Sequence, residues 1–171
     1  MKCHDCKKPA GLRPEIAALL HERRFTRFLN LTEDVPWVRG ECAWCAGPGR
    51  KGFKYCSDDC ANEANIRASG VVVSTEVFRR DKGICTNCGL DCDWLRKEYR
   101  EIQREYKYDF RDRGINLHKQ WGPWHTSTYV FWAAHHIIPV YMGGGVCGLE
   151  NYETLCVRCH KEKHSHYGAR E

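Results

Sequence analysis

The chain has 171 residues, 42% of them hydrophobic, with a formal net charge of +5 and a pI near 8.6. That composition excludes a disordered chain and leaves room for one mid-sized domain or two small ones. No apolar run nears the ~18 residues a membrane span requires, and the mild basicity is compatible with a polyanionic partner without establishing one.

The first residues, "MKCHDCKKPAGLRPE", are charged and lack an apolar core, so no secretory signal is expected. The expected location is intracellular: the cytoplasm, or the nucleus in a eukaryote. Twelve cysteines in a reducing compartment then read as metal ligands rather than disulfides.

In chain order, Cys3 and Cys6 form a first CxxC pair. With His4 or His21 they could make half of a third metal site; the alternative is a pair of free thiols. Pro14 to Leu29 reads as a helix, with Pro14 early, an apolar stripe of Ile16, Leu19, Leu20 and Phe28, and Asn30 at its end. Residues 31–40 read as a connector. "ECAWCAGPGRKGFKYCSDDCA" (41–61) is a cysteine knuckle, a Gly/Pro/Lys loop and a second cysteine pair one helical turn apart. "VVVSTEVFRR" from Val71 looks strand-like, and "GICTNCG" (83–89) is a second knuckle.

Residues 94–113 predict an amphipathic helix, because Leu95, Tyr99, Ile102, Tyr106 and Phe110 share one face. Its charged side reads as a solvated face of i,i+4 pairs before it reads as a DNA-binding one. Trp121 and Trp124 are read as core residues first, with base stacking as the alternative. "TSTYVFWAAHH" is β-rich, "YMGGGVCGLEN" is a loop, and "LCVRCHKEKHSH" opens as a knuckle and continues as a short helix. The domain reading is 1–40, an N-terminal CxxC and helix; 41–70, a four-cysteine module; and 71–171, a domain with a helical insertion at 94–113.

Structural zinc takes four soft ligands in a tetrahedron, usually as two close pairs. Cys85 and Cys88 with Cys156 and Cys159 supply one set; Cys42 and Cys45 with Cys56 and Cys60 supply another. Two structural Zn²⁺ ions are expected. Cys92 and Cys147 read as small buried hydrophobes instead.

The histidines follow a second pattern, H-H-x14-N-x8-H-x3-H, which falls on His135, His136, Asn151, His160 and His164. His160 and His164 lie i,i+4 on a helix and face one side. Neutral imidazoles so placed bind a divalent transition metal, and His135 could be the third ligand. Three protein ligands leave positions open, as at a catalytic metal. His136 then has another task, taking a proton from water, while Asn151 either orients its ring or ties the loop across by hydrogen bonds. Arg158, Lys161 and Lys163 flank the metal helix and could hold phosphates. Arg50, Lys51 and Lys54 in the first knuckle's loop are also basic.

On these residues the sequence resembles the HNH nucleases of the ββα-metal (His-Me finger) class. The histidine pattern is similar to that of nuclease colicins and McrA-like restriction enzymes. The wider layout, "CAWC…FKYCSDDC", "NIR", "VFRRDKGICTNCG" and "FWAAHHIIPVYMGGGVCGLENYETLCVRCHKEKH", resembles bacterial HNH proteins and the nuclease region of the annealing helicase with Ran-binding-type zinc fingers. The resemblance covers roughly 41–165. It implies an α+β fold: a small, zinc-stabilised, treble-clef-like ββα-metal domain with a helical insertion, preceded by a second four-cysteine zinc module and an N-terminal helix. It implies DNA phosphodiester hydrolysis, with His135, His160 and His164 on the metal, His136 as general base, Asn151 supporting it, and 5′-phosphate and 3′-hydroxyl products. The DNA could be single- or double-stranded, and no membrane partner is implied. The group of bacterial HNH proteins and the helicase's nuclease region usually has Asp where His135 stands, and Thr or another residue where His164 stands. The histidine-rich set here leaves Mg²⁺, Mn²⁺, Ni²⁺ and Zn²⁺ all open as the catalytic ion. The competing class is a catalytically inactive, zinc-stabilised module that binds nucleic acid or protein.

Overall fold

The computed structural model describes residues 12–105 and 130–167, except the side chains of Gln103, His166 and Tyr167. Cys3, Cys6, Trp121, Trp124 and the second half of the 94–113 helix lie outside the described residues. Among those described are five α-helices: α1 (Pro14–Glu22), α2 (Asp58–Ala68), α3 (Gly70–Asp81), α4 (Cys92–Glu105) and α5 (Val157–Tyr167). One two-stranded sheet joins β1 (Trp132–His136) to β2 (Tyr152–Cys156). The fold is thus a small mixture of helix and strand. The chain divides into two compact units, Met1–Val73 with His136–Asn151, and Ser74–His135 with Tyr152–Glu171.

In the first unit, Ile16, Leu29, Val35, Trp44, Ala64 and Val146 pack around the buried thiols of Cys42 and Cys60. Pro14 opens α1, as its fixed φ favours. The helix stops at Glu22, well short of the expected Leu29. Tertiary bonds take over the backbone there: Leu29 N–H donates to Arg67 O (2.8 Å), and Arg24 O accepts from Gly145 N–H (2.7 Å). Ser57 caps α2, its hydroxyl accepting from Cys60 N–H at 3.2 Å, with Asp58 and Asp59 on the positive end of the helix.

In the second unit, Leu95 and Tyr99 of α4 meet Phe131, Leu155 and the thiols of Cys85, Cys92, Cys156 and Cys159. Tyr99 packs edge-on to Phe131 with ring centroids 5.3 Å apart. The Asp91 carboxylate caps α4, accepting from Trp94 N–H at 2.8 Å.

The segment from Val71 is helix, not strand. Val73 and Val77 are buried one turn apart, and Glu76 pairs with Arg79 at i,i+3, so the 3.6-residue period prevails over the β preference of three valines.

The sheet positions the site. Val157 N–H donates to Phe131 O (3.0 Å) and Ile137 N–H to Asn151 O (2.9 Å), so β1 and β2 run antiparallel with His135 opposite Glu153. One face carries Trp132, stacked on Phe78 of α3 at 5.8 Å, and Thr154; the other carries His135.

The buried Thr154 hydroxyl donates to Asp81 at 2.8 Å, and Arg80 grips the same carboxylate while donating to Tyr152 O at 2.7 Å. The Arg80 guanidinium, opposed by burial and helped by Thr154, holds Asp81 below the usual carboxylate range. A depressed native pKa contributes stability above about pH 3.9 that is lost as pH falls through the folded value. Asp81→Asn is expected to cost about 1–2 kcal/mol in urea unfolding at neutral pH. The gap from wild type is expected to narrow on acidification below the carboxylate range, and a gap independent of pH would refute the ion-pair account.

Candidate metal centre

Two cysteine groups and one histidine group bring their ligand atoms within 4.8 Å of one another: Cys42, Cys45, Cys56 and Cys60; Cys85, Cys88, Cys156 and Cys159; and His135, His160 and His164. The two knuckles are built alike. Cys42 N–H donates to Gly47 O (2.8 Å), and Ala46 N–H returns to Cys42 O (3.1 Å). Cys85 N–H donates to Leu90 O (2.9 Å), and Gly89 N–H returns to Cys85 O (2.9 Å). Isolated bridges close both turns, Glu41 with Pro48 and Ile84 with Asp91. The residue after the second cysteine is left-handed in each, Ala46 at φ 58° and Gly89 at φ 73°.

The donor sets fit zinc. With Zn–S near 2.3 Å, a tetrahedron has an edge of about 3.8 Å. The Cys45–Cys56 and Cys56–Cys60 sulfurs stand 3.6 Å apart, and Cys88–Cys156 3.8 Å. Burial works to raise the Cys42 thiol, but backbone donors outweigh it and leave the value at about 7. Burial pushes Cys60 up to about 12 and drives Cys56 and Cys156 up as well. Four sulfurs gathered this closely could ligate one cation as thiolates, giving up their protons on binding. Asn87 adds a donor, its Nδ2 lying 3.3 Å from Cys159 Sγ. Cys92 is buried beside the second group but outside it, its thiol turned to Leu90 O at 3.7 Å. Cys147 is half-buried and belongs to no ligand group among the described residues.

His135 reaches the imidazole group from β1, and His160 and His164 reach it from successive turns of α5. Ring centroids lie 5.0 Å apart for His135–His160, 5.3 Å for His135–His164 and 4.3 Å for His160–His164, with the Nε2 atoms of the last pair 3.1 Å apart. Imidazoles sharing an ion at 2.0–2.1 Å stand about 3.0–3.4 Å apart, so the spacing suits either an octahedral or a tetrahedral ion. Burial, then the neighbouring His164 and His135, pushes His160 down to about 4. Burial and Lys163 lower His135, against the pull of Glu153. Both effects favour the neutral ring, the form that ligates. His135 is buried and His164 exposed, so the group opens to solvent on the α5 side.

His136 is the last residue of β1 and stands outside this ligand group. Asn151 is 8% exposed and straps the 137–151 loop. Its carboxamide accepts from Ile138 N–H (2.8 Å) and donates to Ile138 O (3.1 Å) and Gly144 O (2.9 Å). A Cβ on Gly144 would fall 1.8 Å from Ile138 O, which excludes any side chain there.

Lys163 is ion-paired with Glu153, and Arg158 pairs with Glu162 at 3.3 Å, whereas Lys161 is exposed. Glu153 also accepts from Thr86 at 2.9 Å. Glu153 escapes sequence reading because its place opposite His135 depends on strand register. Asn87 is signalled only by lying inside the second knuckle.

The HNH endonuclease family model matches residues 123–166, the segment that carries the two strands, the three imidazoles and Cys156 and Cys159. The chain is 32% identical to the mouse DNA annealing helicase and endonuclease ZRANB3 over 120 residues, and 30% identical to the human protein over 121. Each match takes in 64% of this chain but 11% of the relative, so the chain spans about a tenth of these proteins' length. No solved structure gives a significant match. No described helix is long and apolar enough to cross a membrane.

Refolding with Co²⁺ is expected to give thiolate-to-cobalt absorption for two four-thiol sites, and Cys156→Ser to remove half of it; unchanged absorption in Cys156→Ser would break the second group's assignment. Ala46→Gly is expected to raise the thermal midpoint, gaining up to about 1 kcal/mol by relieving a left-handed alanine where the other knuckle has glycine.

Proposed function

We propose that the chain is a metal-dependent HNH endonuclease that hydrolyses DNA phosphodiester bonds. The observation that carries this reading is the convergence of His135, His160 and His164 within a segment that matches the HNH endonuclease model. The relatives' name, DNA annealing helicase and endonuclease, supports DNA as the substrate.

His135, His160 and His164 would hold one divalent ion through neutral rings. A bound ion would supply Lewis-acid charge for a non-bridging phosphate oxygen and the leaving 3′-oxygen. His136, the next residue after His135, is the general base that takes a proton from the attacking water. Asn151 supports that base through the loop backbone it straps rather than by chemistry of its own. Cys42, Cys45, Cys56 and Cys60, and Cys85, Cys88, Cys156 and Cys159, are the ligands of two structural zinc ions, the second set in a treble-clef-like knuckle and helix. Lys161 and Arg158 are the phosphate-holding cations on α5, while Lys163 serves first as the partner of Glu153.

A plasmid-nicking assay with Mg²⁺, Mn²⁺, Ni²⁺ or Zn²⁺ tests the reading. Wild type is expected to nick with at least one ion, and His136→Ala to lose about 10²–10⁴-fold in rate while retaining its zinc. Wild-type rates in His136→Ala would sink the base assignment, and DNA retention without cleavage under any ion would favour a binding module.

A further inference from the structure

The loop after β1 places four large apolar side chains in solvent: Ile137 is 50% exposed, Ile138 51%, Tyr141 56% and Met142 59%. Four large apolar side chains exposed within six residues of chain suit a surface that meets a partner. This loop is also not a loose one. Asn151 binds the Ile138 backbone on both sides, Gly144 N–H donates to Pro139 O (3.0 Å), and Gly145 N–H donates to Arg24 O (2.7 Å). Gly145 sits so close that a Cβ there would lie 2.0 Å from Thr26 O. The backbone of the loop is held by these bonds while the four apolar side chains stay exposed.

The neighbouring charge says what these side chains meet. The Arg24 stem packs on the loop, its Cδ 3.3 Å from the Cβ position of Gly143, and its guanidinium lies over the exposed Phe25 ring at 4.5 Å. Arg27 lies over Phe28 at 5.2 Å. Arg23 engages the nearby acids Glu22 and Asp34, whereas Arg24 and Arg27 form no ion pair among the described residues. Apolar tips flanked by unneutralised guanidinium groups suit duplex nucleic acid, where cations hold phosphates and apolar side chains enter between base pairs.

We propose that Ile137, Ile138, Tyr141 and Met142 form a wedge that inserts into a base step of duplex DNA, with Arg24 and Arg27 on the flanking phosphates. This deepens the nuclease reading and rests on it. The wedge segment follows His136 directly in the chain. Preference for easily unstacked pyrimidine–purine steps follows from the cost of opening the stack.

The test uses the full chain with its zinc retained and no added catalytic ion. Short duplexes carry a fluorescein end label and one 2-aminopurine at a TA or CA step. Anisotropy reads binding; 2-aminopurine emission reads unstacking. Wild type is expected to bind and to brighten the 2-aminopurine. Ile138→Ser/Met142→Ser is expected to lose the brightening, while Met142→Leu keeps it, with unchanged circular dichroism and zinc content in both. Binding without brightening, or equal brightening in the serine variant, overturns the wedge and leaves the nuclease reading standing. No binding to any duplex overturns the wedge, and the nicking assay then decides the nuclease reading separately. A dimer or vesicle-bound form of the wild type that the serine variant abolishes assigns the patch to a second copy or a lipid surface, and overturns the proposal.

Discussion

The thiols of Cys85, Cys88, Cys156 and Cys159 join two segments 68 residues apart in sequence, and the second unit is arranged around that junction. A two-stranded sheet is marginal by itself in water. Here β2 runs directly into Cys156, α5 begins at the next residue, and Cys159 lies in its first turn. Leu95, Tyr99, Phe131 and Leu155 pack about the same sulfurs. The core is small, and its apolar side chains pack directly against this group of thiols.

The imidazole group depends on the same junction through helical phase. Successive residues on an α-helix are about 100° apart. Cys159 and His160 therefore serve different groups although they are neighbours, and His160 and His164 serve one although they are separated. Anchoring Cys159 sets the rotation of α5 and so the direction of both histidines. The adjacent His135 and His136 divide in the corresponding way in a strand, where neighbours point to opposite faces. His135 joins the imidazoles of α5, and His136 stands outside that group.

Charge near this group is arranged as well as ligand. Lys163 lies between the two α5 histidines in sequence, yet it is paired with Glu153 across from His135. Burial and that ammonium lower the pKa of His135, while Glu153, held also by Thr86, opposes the effect. The loop closing the hairpin follows another rule. It is held by backbone bonds to Asn151, to Pro139 and to the segment after α1, and glycines stand where those bonds bring main chains into contact.

Cysteine spacing, histidine spacing and the amphipathic period of α4 are local or additive, so the chain by itself signalled which residues gather in the three groups and that a helix runs through Leu95 and Tyr99. Pro14 and the Ser57 cap are local signals too, and the elements they open begin where those residues stand. What required long-range contacts was decided only in three dimensions. The residues after Glu22 leave the helix for hydrogen bonds to Arg67 and Gly145, and the valines of α3 adopt a helix because burying one face outweighs their β preference. Glu153 meets His135 only through strand register, and Asn151 meets Ile138 and Gly144 only once the loop has closed. Spacing along a chain is written in the sequence, whereas register, loop closure and the competition between local and tertiary hydrogen bonds depend on what else arrives in the same place.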